Sequence, residues 1–250
     1  MANWLGLKLH CMRSSTLLIA GLLFALSAAA SDLALMPVRI VLKPNEDRAA
    51  LTLTNQGNDP VVMQVEPVSW TQVDGQDRYE PTRDLLVNPP VFTVGAHQAQ
   101  VIRIGLRKKI DRQHEVAYRL IMREVPSPQQ EASPLSTANG VRVLLQLRVP
   151  VYFNPETITT SANWKVSRTA DGQLAIEVEN TGNVHMVVSN LVVRDADPTP
   201  LVEEKMSVAV FPGQSFTWKR KLLRQAKGNK LTLAVVTDGN QRTVEVNLSP

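Results

Sequence analysis

Four histidines, His10, His97, His114 and His185, are the first residues to weigh for catalysis or metal binding in this chain of 250 residues. A zinc or copper site needs several ligands at short, motif-like spacing or gathered by the fold, and no two of these histidines have such a spacing. The single cysteine, Cys11, lies in the N-terminal stretch treated below. No serine sits in a nucleophile-elbow sequence, and no glycine-rich loop opens a helical pattern. Glu177 and Glu179 share one face of a strand, which solvated alternation explains better than an acid–base pair. Arg107, Lys108 and Lys109 form a basic cluster with no interleaved aromatic residue, and read as a solvated loop rather than a nucleic-acid site. These residues argue against an enzyme and call for no metal or cofactor, so the function must lie in the elements themselves.

The stretch that stands out is Gly140 to Pro155, a β-strand by alternation. Val141, Val143, Leu145, Leu147, Val149, Val151 and Phe153 share one parity, while Arg142, Gln146, Arg148 and Tyr152 fall on the other. It is longer than the usual five or six residues, and it divides the sequence in two.

Composition bounds the rest. With 44% hydrophobic and 5% aromatic residues the chain can bury two ordinary cores, and sixteen prolines and twelve glycines between short Val, Leu and Thr runs suit strands and turns. Lys8 and Arg13 precede an apolar run from Leu17 to Leu26 and then Ser27-Ala28-Ala29-Ala30, the pattern of a secretory signal peptide over residues 1–30 cut after Ala30. Its removal takes Cys11 away and lowers the formal charge from +4 to +2, because Lys8 and Arg13 leave with it. The expected product is exported, free of disulfides, not inserted in a membrane and too weakly charged to argue for nucleic acid.

Along the chain, extended segments are expected at Leu35–Leu42, Ala49–Thr54, Val61–Trp70, around Asn88-Pro89-Pro90-Val91-Phe92, at Gln100–Leu106 and at Glu115–Val125. Trp70 reads as a core or inter-sheet plug rather than a ligand-stacking residue. Ser127 to Gly140 has no periodicity and is expected to be a loop. After Pro155, strands are expected at Trp164–Val166, Leu174–Asn180, Val187–Val193, Ser215–Lys219 and Leu231–Thr237, the last forming a terminal hairpin with Thr243–Leu248. The result is an all-β chain of two sandwiches of immunoglobulin type without the cysteine pair, over residues 31–153 and 154–250.

Several ordered motifs then resemble the periplasmic pilus chaperones of the chaperone–usher pathway. They are Arg39-Ile40-Val41-Leu42, Leu51-Thr52-Leu53-Thr54-Asn55, Asn88-Pro89-Pro90-Val91-Phe92, Ile102-Arg103-Ile104, Arg123-Glu124-Val125-Pro126 and Val151-Tyr152-Phe153-Asn154-Pro155. The resemblance implies two immunoglobulin-like domains in an L- or boomerang-shaped arrangement. It also implies pilus subunits and an outer-membrane usher as partners, a periplasmic location, and subunit capping without ATP by donor-strand complementation. Val141, Val143, Leu145 and Leu147 would then be the donor side chains of a strand over 141–153, the other reading being that they face the domain's own core. An open edge strand also carries the hazard of self-association.

The resemblance further implies a carboxylate anchor made of an Arg on the first strand, matched by Arg39, and a Lys on the donor strand, whose place is taken by Pro150. Arg148 and Arg103 are the two candidates for the second cation. The family's interdomain Glu-Arg-Asp bridge keeps Glu115 and Asp238 but has Asn154 at its Arg position. The cysteine-free 127–140 loop, Val149-Pro150-Val151 and Asn180-Thr181-Gly182-Asn183-Val184-His185 are more similar to the archaic or alternative branch. The rival reading is a pilus subunit or adhesin, which should carry an N-terminal donor extension; Ser31 to Leu35 is too short for one.

Overall fold

The computed structural model describes residues 33–126 and 143–249, and these are strands, turns and loops without a helix. The signal-peptide, Val141 and Ser127–Gly140 expectations lie outside the described residues.

The expected first segment is broken at Pro37 into β1 (Leu33–Met36) and β2 (Ile40–Leu42), which join different sheets. Proline cannot donate to a ladder, so a change of sheet is well placed there. β1 pairs antiparallel with β3 (Arg48–Asn55), and the chain continues through β4 (Val61–Val73), β5 (Gln76–Pro81), β6 (Leu85–Asn88), β7 (Val91–Val94), β8 (Ala99–Leu106), β9 (Val116–Val125) and β10 (Gln146–Phe153). One sheet runs β1-β3-β8-β6; the other runs β2-β10-β9-β4-β5, with β7 also on β4. Alternation fills the space between them: Leu51 and Leu53 of β3, Ile102 and Ile104 of β8, Leu120 and Met122 of β9, and Val149, Val151 and Phe153 of β10 are all buried in one core.

The second sandwich comprises β11 (Ala162–Arg168), β12 (Leu174–Asn180), β13 (Met186–Arg194), β14 (Val202–Val210), β15 (Ser215–Arg220), β16 (Lys230–Thr237) and β17 (Asn240–Ser249), in the order β14-β13-β16-β17-β11-β12-β15. Its core is separate and gathers Leu174, Ile176, Val178, Leu191, Leu233 and Trp218. The terminal hairpin turns through Asp238 and Gly239, both with positive φ, as the two-residue turn between right-twisted strands requires. β5 and β14 had no counterpart in the sequence reading; QDRYEP and VEEKMSVAV carry too much charge to stand out as strands.

Trp70 belongs to neither core. With Ala117, Tyr152 and Phe211 it forms a third buried cluster that joins the two sandwiches, its ring 4.7 Å from that of Phe211. Gln72 extends this junction: its side chain accepts from the Phe211 N–H at 2.9 Å and donates to the Ala209 carbonyl at 2.8 Å.

Candidate strand-docking site

β10 has two sides and two ends. The Glu124 N–H donates to the Leu145 carbonyl and the Asn154 N–H donates to the Leu42 carbonyl. Odd-numbered residues therefore turn their backbone groups toward β9 and even-numbered ones toward the opposite edge. On that edge β2 pairs in parallel with Val151–Phe153 only, so among the described residues Gln146 and Arg148 present unpaired N–H and C=O groups.

The side chains follow a gradient along the strand. Phe153 and Val151 are fully buried and Val149 nearly so, Leu147 and Leu145 are half-buried, and Val143 is 84% exposed. The expected strand over 141–153 thus begins at Gln146 as a regular element. Its downstream apolar residues face their own core, while Leu145 and Val143 run off the end of it. A cross-strand chain fixes this end, with Arg123 donating to Gln146 Oε1 at 3.2 Å and to Glu66 Oε2 at 2.7 Å.

The outer face beside this edge is cationic and aromatic. Arg148 is exposed and lies 5.8 Å from the centre of the Tyr79 ring. Pro150 is paired with Arg119 of β9, and paired residues of adjacent strands point to the same face. The Arg119 guanidinium rests 3.7 Å over the Trp70 ring and 5.2 Å from that of Tyr79, with its Nε buried and without a hydrogen-bond partner. Asp77 approaches it at 3.9 Å. Burial works to raise the Asp77 carboxyl, but hydrogen bonds from Gln72 and Tyr79 and the Arg119 charge outweigh it, holding the group below the ordinary carboxylate range. Burial, with the bond to Asp77, pushes the Tyr79 hydroxyl up to about 12. Tyr152 is also raised by burial and by the Glu115 charge, against the opposing charges of Arg119 and Arg39. Arg39, exposed just before β2, thus acts on the same hydroxyl as Arg119.

Arg103 is not brought to this group. It lies on β8 between Ala50 and Asn88, facing outward on the other sheet, because its neighbours Ile102 and Ile104 take the core side. Arg119, which the sequence alone does not single out, is paired with Pro150, the position that the resemblance gives to the Lys. That pairing is visible only once the register of β9 against β10 is known.

The interdomain residues are also rearranged. The Glu115 side chain is 2% exposed and receives the His185 ring Nδ1 at 2.7 Å and the His185 backbone N–H at 3.2 Å. The His185 ring stacks on Tyr152 at 4.0 Å. Asp238 stays within the second sandwich, accepting from the Val187 N–H at 2.9 Å, and Asn154 contributes a backbone bond to Leu42. Glu115 is thus held by His185, just before β13, and neither Asn154 nor Asp238 is among its hydrogen-bond partners in the described residues. Among the described residues no group of three or more His, Cys, Asp or Glu side chains could hold a metal ion. The 107–109 cluster borders an open cleft whose charges are mixed, and Lys108 is already held by Asp84 at 2.8 Å.

Residues 32–159 match the family described as pili and flagellar-assembly chaperone, PapD N-terminal domain. The chain belongs to that family. YadV of Escherichia coli (strain K12), described as a probable fimbrial chaperone, is 23% identical to it over 135 residues, a match that spans 52% of each protein. Among solved structures the chaperone is similar to a chain of the CsuC–CsuE chaperone–tip adhesion subunit complex from archaic Csu pili of Acinetobacter baumannii, with TM-score 0.63, 17% identity, and 87% of this chain and 99% of that one covered. The complex of Salmonella enterica SafA pilin with the SafB chaperone matches with TM-score 0.58, 18% identity and coverage of 88% and 97%. These likenesses give the chaperone the two-domain, immunoglobulin-like fold of its relatives.

Proposed function

We propose that this chaperone binds and caps pilus subunits in the periplasm by lending them the open edge of β10, without ATP, and hands them to an outer-membrane usher. The observation that carries this is the edge itself: backbone at Gln146 and Arg148 that is unpaired among the described residues, beside apolar side chains that leave their own core in the order Leu147, Leu145, Val143. Burying those three in a subunit groove contributes roughly 1.5–3 kcal/mol each before ordering costs. Arg39 and Arg119 are the anchor for the subunit's terminal carboxylate, with Arg148 at its rim. A guanidinium over an aromatic face, with one nitrogen unpartnered, is ready to accept a desolvated anion. The CsuC–CsuE and SafA–SafB structures, each a chaperone with a subunit, support the partner class, and the Csu likeness with Val149-Pro150-Val151 supports the archaic branch.

The test is coexpression with the pilus subunits encoded beside the chaperone. A soluble one-to-one complex is expected in the periplasm, and Val143→Asp with Leu145→Asp is expected to abolish it while the chaperone stays folded. An intact complex with that double variant would remove strand lending through this edge.

A further inference from the structure

Pro150 occupies an outward-facing position on the lent edge, and it is the one residue of β10 that has no N–H to offer there. A strand laid parallel along this edge places one residue opposite Leu147, donating to the Gln146 carbonyl and accepting from the Arg148 N–H. The residue opposite Val149 then donates to the Arg148 carbonyl, but its own carbonyl reaches for a residue-150 N–H that does not exist. One step further the lane is closed, because β2 is paired with Val151–Phe153. At the point where the ladder fails, Arg119 is paired across from Pro150 and Arg39 leads into β2. An antiparallel strand would bring an N-terminal ammonium to the same two cations, which repel it.

Resting on the docking reading above, in which the arginines already hold the subunit's terminal carboxylate, the geometry points to Pro150 as the residue that sets where a captured strand ends. Withholding the backbone donor leaves the terminal group dependent on the arginines. A neutral amide or a continuing chain loses its ladder bond and gains less from them, because it brings no charge. Pro150 is a positioning residue in this scheme: it acts through the donor it lacks and through Arg119.

A double-substitution cycle tests it, read as the amount of subunit recovered in complex with the full chaperone. Arg119→Ala alone is expected to lower recovery about tenfold or more, the scale of a lost hydrogen bond to a charged group. Pro150→Ala alone is expected to fold and to retain recovery, because the added N–H faces an open edge. In the Pro150→Ala background that N–H reaches the terminal carboxylate, and Arg119→Ala is expected to cost about threefold or less. Equal losses in both backgrounds would overturn the proposal. A second measurement reads the register: with Gln146→Cys in the chaperone and single cysteines along the subunit's last strand, cross-linking is expected to peak at the residue three before the last. A peak elsewhere also overturns it. If Arg119→Ala costs nothing in either background while Val143→Asp with Leu145→Asp still abolishes recovery, strand lending stands and the terminal stop fails. If the Asp pair also leaves recovery intact, the docking reading itself fails.

Discussion

The edges of the two sandwiches are defended differently. In the second sandwich β14 closes one side of the sheet with Glu203 and Lys205 exposed and Glu204 bound to Arg220 at 2.9 Å. In the first, β5 closes the far side of the β10 sheet with Asp77, Arg78, Glu80 and Pro81. Charge and proline on an edge are the usual means of refusing another strand. The open part of β10 instead has Leu145 and Leu147 on one face, an exposed Val143 beyond them, and cations only on the other face. Among the described residues the apolar face of this part of β10 thus carries none of the charge or proline that lines β5 and β14.

The most severe way to separate the two halves of β10 is to place one charge on each. Val151→Asp puts an unpaired carboxylate in the core and is expected to cost at least about 4 kcal/mol, unfolding the first sandwich in a urea titration. Val143→Asp, eight residues upstream on the same parity, is expected to leave that titration unchanged. A stability loss at Val143 would mean that the upstream half also belongs to the resident core.

The junction beside the edge gives the next largest effect. His185→Ala leaves the buried Glu115 carboxylate with only the residue-185 backbone N–H and is expected to destabilise the chaperone by about 2 kcal/mol, the scale of a lost hydrogen bond to a charged group. Glu115→Gln with His185→Ala removes the stranded charge and is expected to recover part of that loss in the same thermal melt.

How much of this was legible in the sequence depends on whether the signal was local. The odd-parity apolar run of β10, the Asn55 and Asn180 turns and the terminal hairpin were readable because alternation and turn chemistry act over a few residues. Asn55 and Asn180 prove to be matched: each is 1% exposed, with its amide donating to two or three carbonyls and its Oδ1 accepting from the glycine two residues on. Arg119 was not readable, since its importance comes from lying across from Pro150 some thirty residues later. Gln72 and His185 were not either: their partners lie 139 and 70 residues away in sequence. Alternation also could not tell a strand half that faces its own core from one that leaves it; only burial along β10 made that division.

Two milder changes sharpen the contrast between edges. Removing the charges from β14 by Glu203→Val with Lys205→Val is expected to leave the melting temperature nearly unchanged, within about 0.5 kcal/mol, yet to produce self-association in sedimentation velocity. A monomer after that change would show that charge is not what guards the second sandwich. Acid gives the smallest effect. Hydrogen bonds from Arg224 and the Lys227 N–H hold Asp195 far below the usual carboxylate range, and bonds from the Thr199 N–H and Lys227 hold Asp197 at about 2. Because these folded values lie below the unfolded ones, their stabilisation is complete at neutral pH, starts to fade below the ordinary value of 3.8 and is lost as pH falls through the folded values. Asp195→Asn is therefore expected to lower the melting temperature at pH 7 and to reduce its further drop between pH 4 and about 2.

The central claim is that the even-numbered backbone groups of β10 are vacant until a subunit strand takes them. Amide hydrogen exchange at Gln146 and Arg148, compared between the free chaperone and its subunit complex, tests this directly. Both amides are expected to exchange rapidly in the free protein and to become strongly protected in the complex, while Leu147 and Val149, already bonded to β9, are protected in both. Unchanged exchange at Gln146 and Arg148 in a complex that is demonstrably formed would contradict it.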